Sequence, residues 1–189
     1  MIFLAGPHGA GKTESARIMS CFSFLPIDLG PTLRKIHLEL GIVDGFKDWI
    51  RKGEADFGQS FTDNLLIAEI RKIKEVVENG DSHVDIVVVG SRSRRGIEKI
   101  KGAVPRVRGR DGQVIFIEAP FDVLHKRYNE RERLNLDPAS FRGLLGADLE
   151  IGIESIREIA DFTLFNNGDI KSLETAIREI LFQKLGYAQ

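Results

Sequence analysis

One short stretch near the start of the chain has the residue types and spacing of a phosphate-binding loop. Residues 6–13 read GPHGAGKT, so Gly6, Gly11, Lys12 and Thr13 fill every fixed position of the pattern G-x-x-x-x-G-K-[ST]. Glycines allow backbone angles that turn successive N–H groups toward a phosphate, and a following helix adds its dipole. Lys12 would pair with the β- and γ-phosphates, and Thr13 would offer its hydroxyl to Mg²⁺. The stretch predicts binding of a nucleoside triphosphate with its metal.

The residues between and after the fixed positions would contribute mainly through their backbone amides. The residues expected to contact the nucleotide here are Gly6, His8, Gly9, Ala10, Gly11, Lys12, Thr13 and Glu14. The loop also has the context that the pattern requires, because an apolar run at residues 2–5 precedes it and helical spacing of Ala16 and Met19 follows it.

Short apolar runs alternate with helical patterns along the rest of the chain. Strands are predicted at residues 2–5, 22–28, 84–90, 112–120 and 161–167. Helices are predicted from Lys12, over 31–40 and 61–78, from Asp137 along a face reaching Ala160, and over 173–181, while residues 41–58 are predicted to be irregular. Five such strands separated by helices predict a parallel sheet covered on both faces, with ligands at the carboxyl ends of the strands.

Composition and charge narrow the class of protein. The chain has 189 residues, 42% of them hydrophobic and 29% charged, which suits one globular domain. A single cysteine excludes internal disulfides, and residues 1–5 are too few for a membrane span and lack a basic leader, so a cytoplasmic protein without a membrane partner is expected. Residues 91–110 carry eight basic residues and one acid, a local charge of +7, which suggests an anionic ligand or RNA.

Three stretches resemble the nucleoside monophosphate kinase-like group of P-loop kinases. They are GPHGAGKT, the strand end VVVGSRS at 87–93, and the segment 147–181, and the branch most similar is that of dephospho-CoA kinases and archaeal adenylate kinase-related nucleotide kinases. No N-K-x-D element of guanine-specific switches follows the last predicted strand. The resemblance implies a three-layer P-loop α/β fold over 1–189, with strand order 2-3-1-4-5, an acceptor-binding excursion at 29–83 and a small helical lid at about 125–145.

The resemblance also implies residues for the acceptor side. Asp28 ends the second predicted strand, where related kinases place an acid that faces the acceptor as a base or a metal anchor. Arg34 lies in LGPTLR, which is similar to the family's G-D-x-x-R except that Pro31 replaces the Asp. Arg92 is similar to an arginine that clamps the acceptor's phosphate or carboxylate.

The sequence departs from the family at one position that bears on catalysis. The acid that ends the third strand in the family would fall at Val89, and none is present there. Mg²⁺ would then be bound by Thr13, phosphates and waters, and Asp28 or Glu118 would contact these ligands rather than the metal itself. The sequence therefore leaves open two alternatives, a protein that catalyses phosphate transfer and one that only binds a nucleotide.

Arginines of the predicted lid complete the predicted site. Arg127 and Arg131 are four residues apart and so share a helix face, from which lid closure would bring both guanidiniums to the phosphates. A solvent-exposed helix with ion pairs to the intervening glutamates is the alternative. The resemblance also places Asn166 and Asn167 at the adenine contacts.

The combined prediction is an ATP- and Mg²⁺-dependent kinase that phosphorylates a small anionic acceptor. Catalysis would involve Lys12, Asp28, Arg92, Arg127 and Arg131, and acceptor binding Asp28, Arg34 and Arg92. A nucleoside monophosphate and a dephospho-CoA-like molecule are both open as acceptors. A nucleotide-binding regulatory or RNA-associated module and a slow stand-alone ATPase are the alternatives.

Overall fold

A parallel sheet between two helical layers forms the centre of the protein, which was studied as a computed structural model that describes residues 1–80, 84–107 and 109–187. The strands are β1 (Ile2–Ala5), β2 (Phe24–Asp28), β3 (Asp85–Val89), β4 (Arg106–Val107), β5 (Arg110–Asp111), β6 (Gln113–Glu118) and β7 (Phe162–Phe165). The sheet has the order β2-β3-β1-β6-β7, and all its pairings are parallel. With the separate β4–β5 hairpin left out, this is the predicted order 2-3-1-4-5.

The helices cover both faces of that sheet. They are α1 (Lys12–Ser20), α2 (Leu29–Glu39), α3 (Phe46–Phe57), α4 (Phe61–Asn79), α5 (Arg94–Ala103), α6 (Phe121–Glu132), α7 (Pro138–Ile151), α8 (Ile153–Arg157) and α9 (Ile170–Arg178), which a π-helical turn (Glu179–Lys184) extends. Helices α1, α6, α7 and α9 share a core with one face of the sheet, and α4, α5 and α8 share a core with the other.

The central strands are apolar because both of their faces are buried. In β1, Ile2 and Leu4 point into the core on the α1 side, and Phe3 and Ala5 point into the core on the α4 side. Every residue of β1 and β3 is buried. This pattern matches the prediction of a doubly covered parallel sheet, and it leaves the strand ends as the place for polar residues.

Two expectations about helices were wrong. Residues 41–58 were expected to be irregular, but α3 occupies Phe46–Phe57, with Trp49 buried against His37 and Phe61. The helix from Asp137 was expected to continue with one apolar face to Ala160. It ends instead at Ile151, because Gly152 takes the left-handed conformation (φ 98°) that closes helices.

Further elements that the sequence did not predict lie in the basic segment. Residues 94–103 form α5, and the β4–β5 hairpin follows it. In the described parts of the chain, no helix is both long and apolar enough to cross a membrane.

Candidate active site

The loop at residues 6–13 connects β1 to α1 at the carboxyl edge of the sheet, as predicted. All three of its glycines are required by close contacts as well as by positive φ angles, and Gly9 (φ 81°) lies against the backbone of Leu124 in α6. Gly6 (φ 140°) has no room for a Cβ beside the carbonyl oxygen of Ile117, and a Cβ on Gly11 (φ 99°) would lie 2.5 Å from Nδ2 of Asn166. The loop is therefore held directly against β6 and the end of β7.

Lys12 lies folded back over this loop. Its Nζ donates hydrogen bonds to the carbonyl oxygens of Gly6 (2.7 Å) and Pro7 (2.8 Å). Burial lowers the pKa of Lys12 from 10.5 to about 8; the nearby Asp148 opposes this shift, and Arg131 and Arg92 add to it. The ammonium group is thus desolvated and within reach of any phosphate that the loop binds.

A cavity of about 460 Å³ lies between the loop and the β7–α9 turn. It is lined by Gly9, Gly11, Lys12, Thr13, Glu14, Arg127, Arg131, Asn166, Gly168, Asp169, Ile170 and Leu173. We call it the nucleotide cavity, because the loop and the start of α1 form its floor. Asn167, expected at the adenine contacts, is exposed and does not line it.

Arg127 is fixed to the β7–α9 turn rather than free to move with a lid. Its guanidinium donates to the carbonyl oxygens of Asn166 (2.9 Å) and Gly168 (2.9 Å). Asn166 in turn donates from Nδ2 to the carbonyl oxygen of Ala10 at 2.9 Å. This chain of contacts joins α6, the β7–α9 turn and the phosphate loop into one wall of the nucleotide cavity.

A second cavity of about 170 Å³ lies on the other side of Lys12. It is lined by Gly6, His8, Lys12, Thr13, Asp28, Val89, Gly90, Ser91, Arg92, Arg131, Asp148 and Ile153. We call it the acceptor cavity, because the ends of β2 and β3 form its wall. Asp28 there caps α2, with Oδ1 accepting from the Gly30 amide at 3.2 Å.

Two polar side chains after β3 contribute unused hydrogen-bonding groups to the acceptor cavity. Ser91 is only 6% exposed, and its Oγ has no hydrogen-bond partner among the described residues. Arg92 is exposed and forms no hydrogen bond or ion pair within the described parts of the chain. A buried hydroxyl without a partner is costly, so a bound ligand would be stabilised by supplying one.

Arg131 lines both cavities, together with Lys12 and Thr13. Its guanidinium lies 5.5 Å from the centre of the Tyr128 ring, and Nε donates to the neighbouring Glu132 at 2.7 Å. The three shared residues mark the point where the two cavities meet. Arg133 lies outside this junction and ends α6 in the left-handed conformation (φ 54°).

Asp148 of α7 is a residue of the acceptor cavity that the sequence analysis did not identify. It is 6% exposed, and its Oδ2 contacts Nδ1 of His8 at 2.5 Å and accepts from the His8 amide at 3.1 Å. Burial alone would raise the pKa of Asp148, but the contacts with His8 and the charge of Arg92 outweigh it, and the pKa lies below the ordinary value. A signal existed, because Asp148 lies three residues after Leu145 on the face of α7 that was expected to be apolar.

Two other predicted positions lie away from this centre, and a third lies within it. Arg34 is exposed, does not line the acceptor cavity, and stacks over the Phe46 ring at 4.8 Å. Glu118 pairs with Nε of Arg157 at 2.6 Å on the far side of the loop. Val89, where the family has an acid, is buried in the wall of the acceptor cavity.

The site suits a magnesium ion that depends mainly on phosphate oxygens. Among the described residues, no cluster of three or more His, Cys, Asp or Glu could hold a metal alone. Mg²⁺ commonly takes one or two protein oxygens, several waters and substrate phosphates. The hydroxyl of Thr13, at the junction of the cavities, fits that donor set.

Part of the basic segment is held by contacts within the protein. Arg94 pairs with Glu98 at 2.6 Å, Arg106 pairs with Asp111 at 3.0 Å, and Arg110 donates to the carbonyl oxygens of Leu185 and Gly186. Acidic partners thus compensate the charges of Arg94 and Arg106, whereas Arg110 keeps its charge and bonds only to neutral carbonyl oxygens.

Comparison with known proteins supports the fold. No protein-family model matches the chain. The UPF0200/UPF0201 protein of Archaeoglobus fulgidus is 28% identical over 176 residues, which cover 84% of this chain and 53% of that protein. The chain thus spans about half the length of the curated relative that it matches.

Solved kinase structures superpose over nearly the whole chain. A shikimate kinase from Bacteroides thetaiotaomicron gives a TM-score of 0.60 at 18% identity and covers 97% of both chains. A gluconokinase from Sinorhizobium meliloti 1021 gives 0.57 at 15% identity, with 100% of this chain and 97% of that chain covered. At these identities the likeness shows the fold alone, and the predicted three-layer P-loop α/β fold is confirmed.

Proposed function

We propose that the protein is an ATP-dependent phosphotransferase that moves the γ-phosphate to a small anionic acceptor. One observation carries the proposal: the nucleotide cavity and the acceptor cavity meet at Lys12, Thr13 and Arg131. A kinase needs two substrates that approach the transferring phosphoryl group from opposite sides, with positive charge between them. A module that only bound a nucleotide would not need the second cavity.

Each residue of the proposed site has a role that its position supports. Lys12 and Arg131 neutralise charge that develops on the transferring phosphoryl group, because both border the two cavities. Arg92 holds the anionic group of the acceptor, and Asp28 orients the acceptor from the end of β2. Mg²⁺, held by Thr13 and the phosphates, would supply further charge neutralisation.

Arg127 has a different role in this proposal from the one that the family resemblance implies. Its contacts with Asn166 and Gly168 make it part of the wall that receives the nucleoside, and the charge on the phosphoryl group falls to Arg131. Residues 125–145, which include the end of α6 and the start of α7, are the proposed lid, and within it the closing movement is assigned to the residues that follow Arg127.

Several small anions are candidate acceptors. The names of the kinases with this fold include shikimate and gluconate as acceptors, both small anions that carry hydroxyls. Arg92 and Asp28 suit a small acceptor with both an anionic group and a polar group. We keep nucleoside monophosphates and dephospho-CoA-like molecules as candidate acceptors alongside these.

A coupled ADP-release screen with MgATP tests the proposal. The acceptors are the common nucleoside monophosphates, dephospho-CoA, shikimate and gluconate, each compared with a reaction that lacks an acceptor. We expect at least one to accelerate ADP formation and to gain a phosphate by mass spectrometry. ATP binding with no acceptor-dependent turnover, together with salt-sensitive RNA binding, would instead support a regulatory RNA-associated module.

A further inference from the structure

The residue in the third position of the phosphate loop carries a side chain that faces the acceptor cavity. His8 lines that cavity beside Lys12 and Asp28, and its ring meets Tyr128 edge-on at 5.9 Å between ring centres. Backbone amides suffice for phosphate binding by such a loop, so an imidazole at this position is not needed for the phosphates.

The contact with Asp148 fixes which nitrogen of His8 is available. Asp148 is ionised at neutral pH, so at 2.5 Å its Oδ2 accepts the proton of Nδ1, and the amide of His8 donates to the same oxygen. A neutral imidazole carries one proton, which leaves Nε2 with a free lone pair. Nε2 forms no hydrogen bond with any described residue.

We propose that His8, oriented by Asp148, is the general base of the transfer and that the acceptor is therefore phosphorylated on a hydroxyl. This inference rests on the proposed kinase function and makes it more specific. A phosphate acceptor is already an anion at neutral pH and needs no base. A hydroxyl has a proton to lose, and an Asp–His pair beside the phosphates is suited to accept it.

The step balances as an in-line displacement. The acceptor hydroxyl oxygen forms a bond to the γ-phosphorus, and the bond from that phosphorus to the β,γ-bridging oxygen breaks, leaving its electron pair on ADP. The hydroxyl proton passes to Nε2 of His8, and Asp148 stabilises the imidazolium before the proton leaves to solvent. Asp148 is thus a positioning residue that acts through His8.

Asp28 is less suited to accept the proton. Its Oδ1 is already bonded to the amide of Gly30, where it caps α2, and a Cβ on Gly90 would lie only 3.3 Å from that oxygen. We therefore assign Asp28 to orientation of the acceptor and His8 to removal of the proton.

The first test uses water as the probe, so it does not require knowledge of the acceptor. Slow ADP formation from MgATP alone would be measured for the full-length wild type, His8→Ala, Asp148→Asn and Lys12→Ala. General-base removal costs on the order of 100-fold in kcat, and we expect that loss for His8→Ala with the dissociation constant for ATP nearly unchanged. Added imidazole should restore at least about a tenth of the lost rate in His8→Ala and nothing in Lys12→Ala.

The rescue separates a base from a structural latch between α7 and the loop. If His8 only held α7 in place, its variant would lose thermal stability and imidazole would not restore kcat. Wild-type kcat in His8→Ala, or a loss of rate that imidazole does not rescue, would overturn the assignment.

The second test identifies the phosphorylated atom. For each acceptor that stimulates ADP release in the screen, ³¹P NMR distinguishes a new phosphomonoester from a nucleoside diphosphate. Products from dephospho-CoA, shikimate or gluconate support the inference, whereas turnover of nucleoside monophosphates alone contradicts it and leaves the kinase proposal intact. Absence of ADP formation with water and with every acceptor would instead contradict the proposed function itself.

Discussion

The two cavities on either side of Lys12 differ in how many of their polar groups are already used. On the nucleotide side, Arg127 and Asn166 bind backbone carbonyl oxygens of the β7–α9 turn and of the phosphate loop. On the acceptor side, the hydroxyl of Ser91 and the guanidinium of Arg92 have no partner in the described residues. The nucleotide wall is therefore built in advance, and the acceptor wall is completed by its ligand.

This difference has a physical consequence for specificity. A wall whose donors are already bonded provides shape and loses little entropy when it binds, which suits a ligand common to many enzymes of one fold. Unpaired donors favour only ligands that satisfy them, because a ligand without the matching acceptor atoms leaves a buried group unpaired. The choice of acceptor should thus be found around Ser91 and Arg92.

The largest expected effect comes from the residue that both cavities share. Lys12→Ala should reduce acceptor-dependent ADP formation by about 1,000-fold or more, because it removes a desolvated charge next to the transferring group. Lys72→Ala is the matched control, since Lys72 is an exposed residue of α4 in a surface ion pair with Glu69. Retention of wild-type turnover in Lys12→Ala would show that the phosphate loop takes no part in the reaction.

Arg127→Ala tests whether the nucleotide wall is structural. The change leaves the carbonyl oxygens of Asn166 and Gly168 without their donor, so we expect the free energy of unfolding to fall by about 2 kcal/mol. ATP affinity should fall with it. Urea denaturation gives the first quantity and calorimetric titration the second.

The control for Arg127 is its neighbour in α6. Lys126→Ala removes an exposed side chain whose ion pair with Glu130 spans 4.0 Å, and such pairs contribute little to stability. If both variants unfolded at the same urea concentration as the wild type, Arg127 would be free to act as a mobile lid residue, and the proposed contrast between the cavities would fail.

Arg92→Ala tests the acceptor wall, where we expect a loss of ligand binding without a loss of stability. Because Arg92 has no partner in the described residues, its removal should change the free energy of unfolding by less than about 0.5 kcal/mol. The KM for the acceptor should rise about 10- to 100-fold, with the affinity for ATP unchanged, since a charge-assisted contact is lost. Steady-state kinetics with varied acceptor measures this.

Arg95→Ala provides the comparison from the first turn of α5, which follows Arg92. Arg95 donates to Gln59 and Ser60 of the α3–α4 connection, outside the acceptor cavity. An equal rise in KM for both variants would mean that the general positive charge of the segment, not Arg92 itself, attracts the acceptor.

The features that were predicted correctly are those that depend on residues close together in the sequence. The loop, its strand and its helix follow from spacing within a few residues, and the sheet follows from runs such as DIVVV in β3. The contact between His8 and Asp148 joins positions 140 residues apart, so no local pattern could reveal it. The helix α3 was missed although Phe46, Trp49, Ile50 and Phe57 have helical spacing, because the glycines at 41, 45, 53 and 58 are typical of an irregular stretch.

The carry-over of residues from the family was least secure where the motif was incomplete. Arg34 was matched through a motif whose Asp is Pro31 here, and in the structure its guanidinium stacks on Phe46 instead of facing the acceptor cavity. Arg131, which was predicted from the similarity to the family's lid and from its helical spacing, does lie at the junction.

The smallest expected effect concerns the proton on Lys12. Burial lowers the pKa of Lys12 to about 8 in the free protein, and a bound triphosphate favours the charged ammonium and raises that pKa again. Binding should therefore take up almost no proton at pH 7, where Lys12 is already charged, and close to one at about pH 9. ATP affinity should accordingly weaken as the pH rises through 8, because part of the binding energy is then used to protonate the lysine. Calorimetric titrations in two buffers of different ionisation enthalpy measure the uptake, and Lys12→Arg, which stays charged, is the control. Equal uptake by the wild type and by Lys12→Arg would assign the proton to another group and leave Lys12 an ordinary exposed cation when the loop is empty.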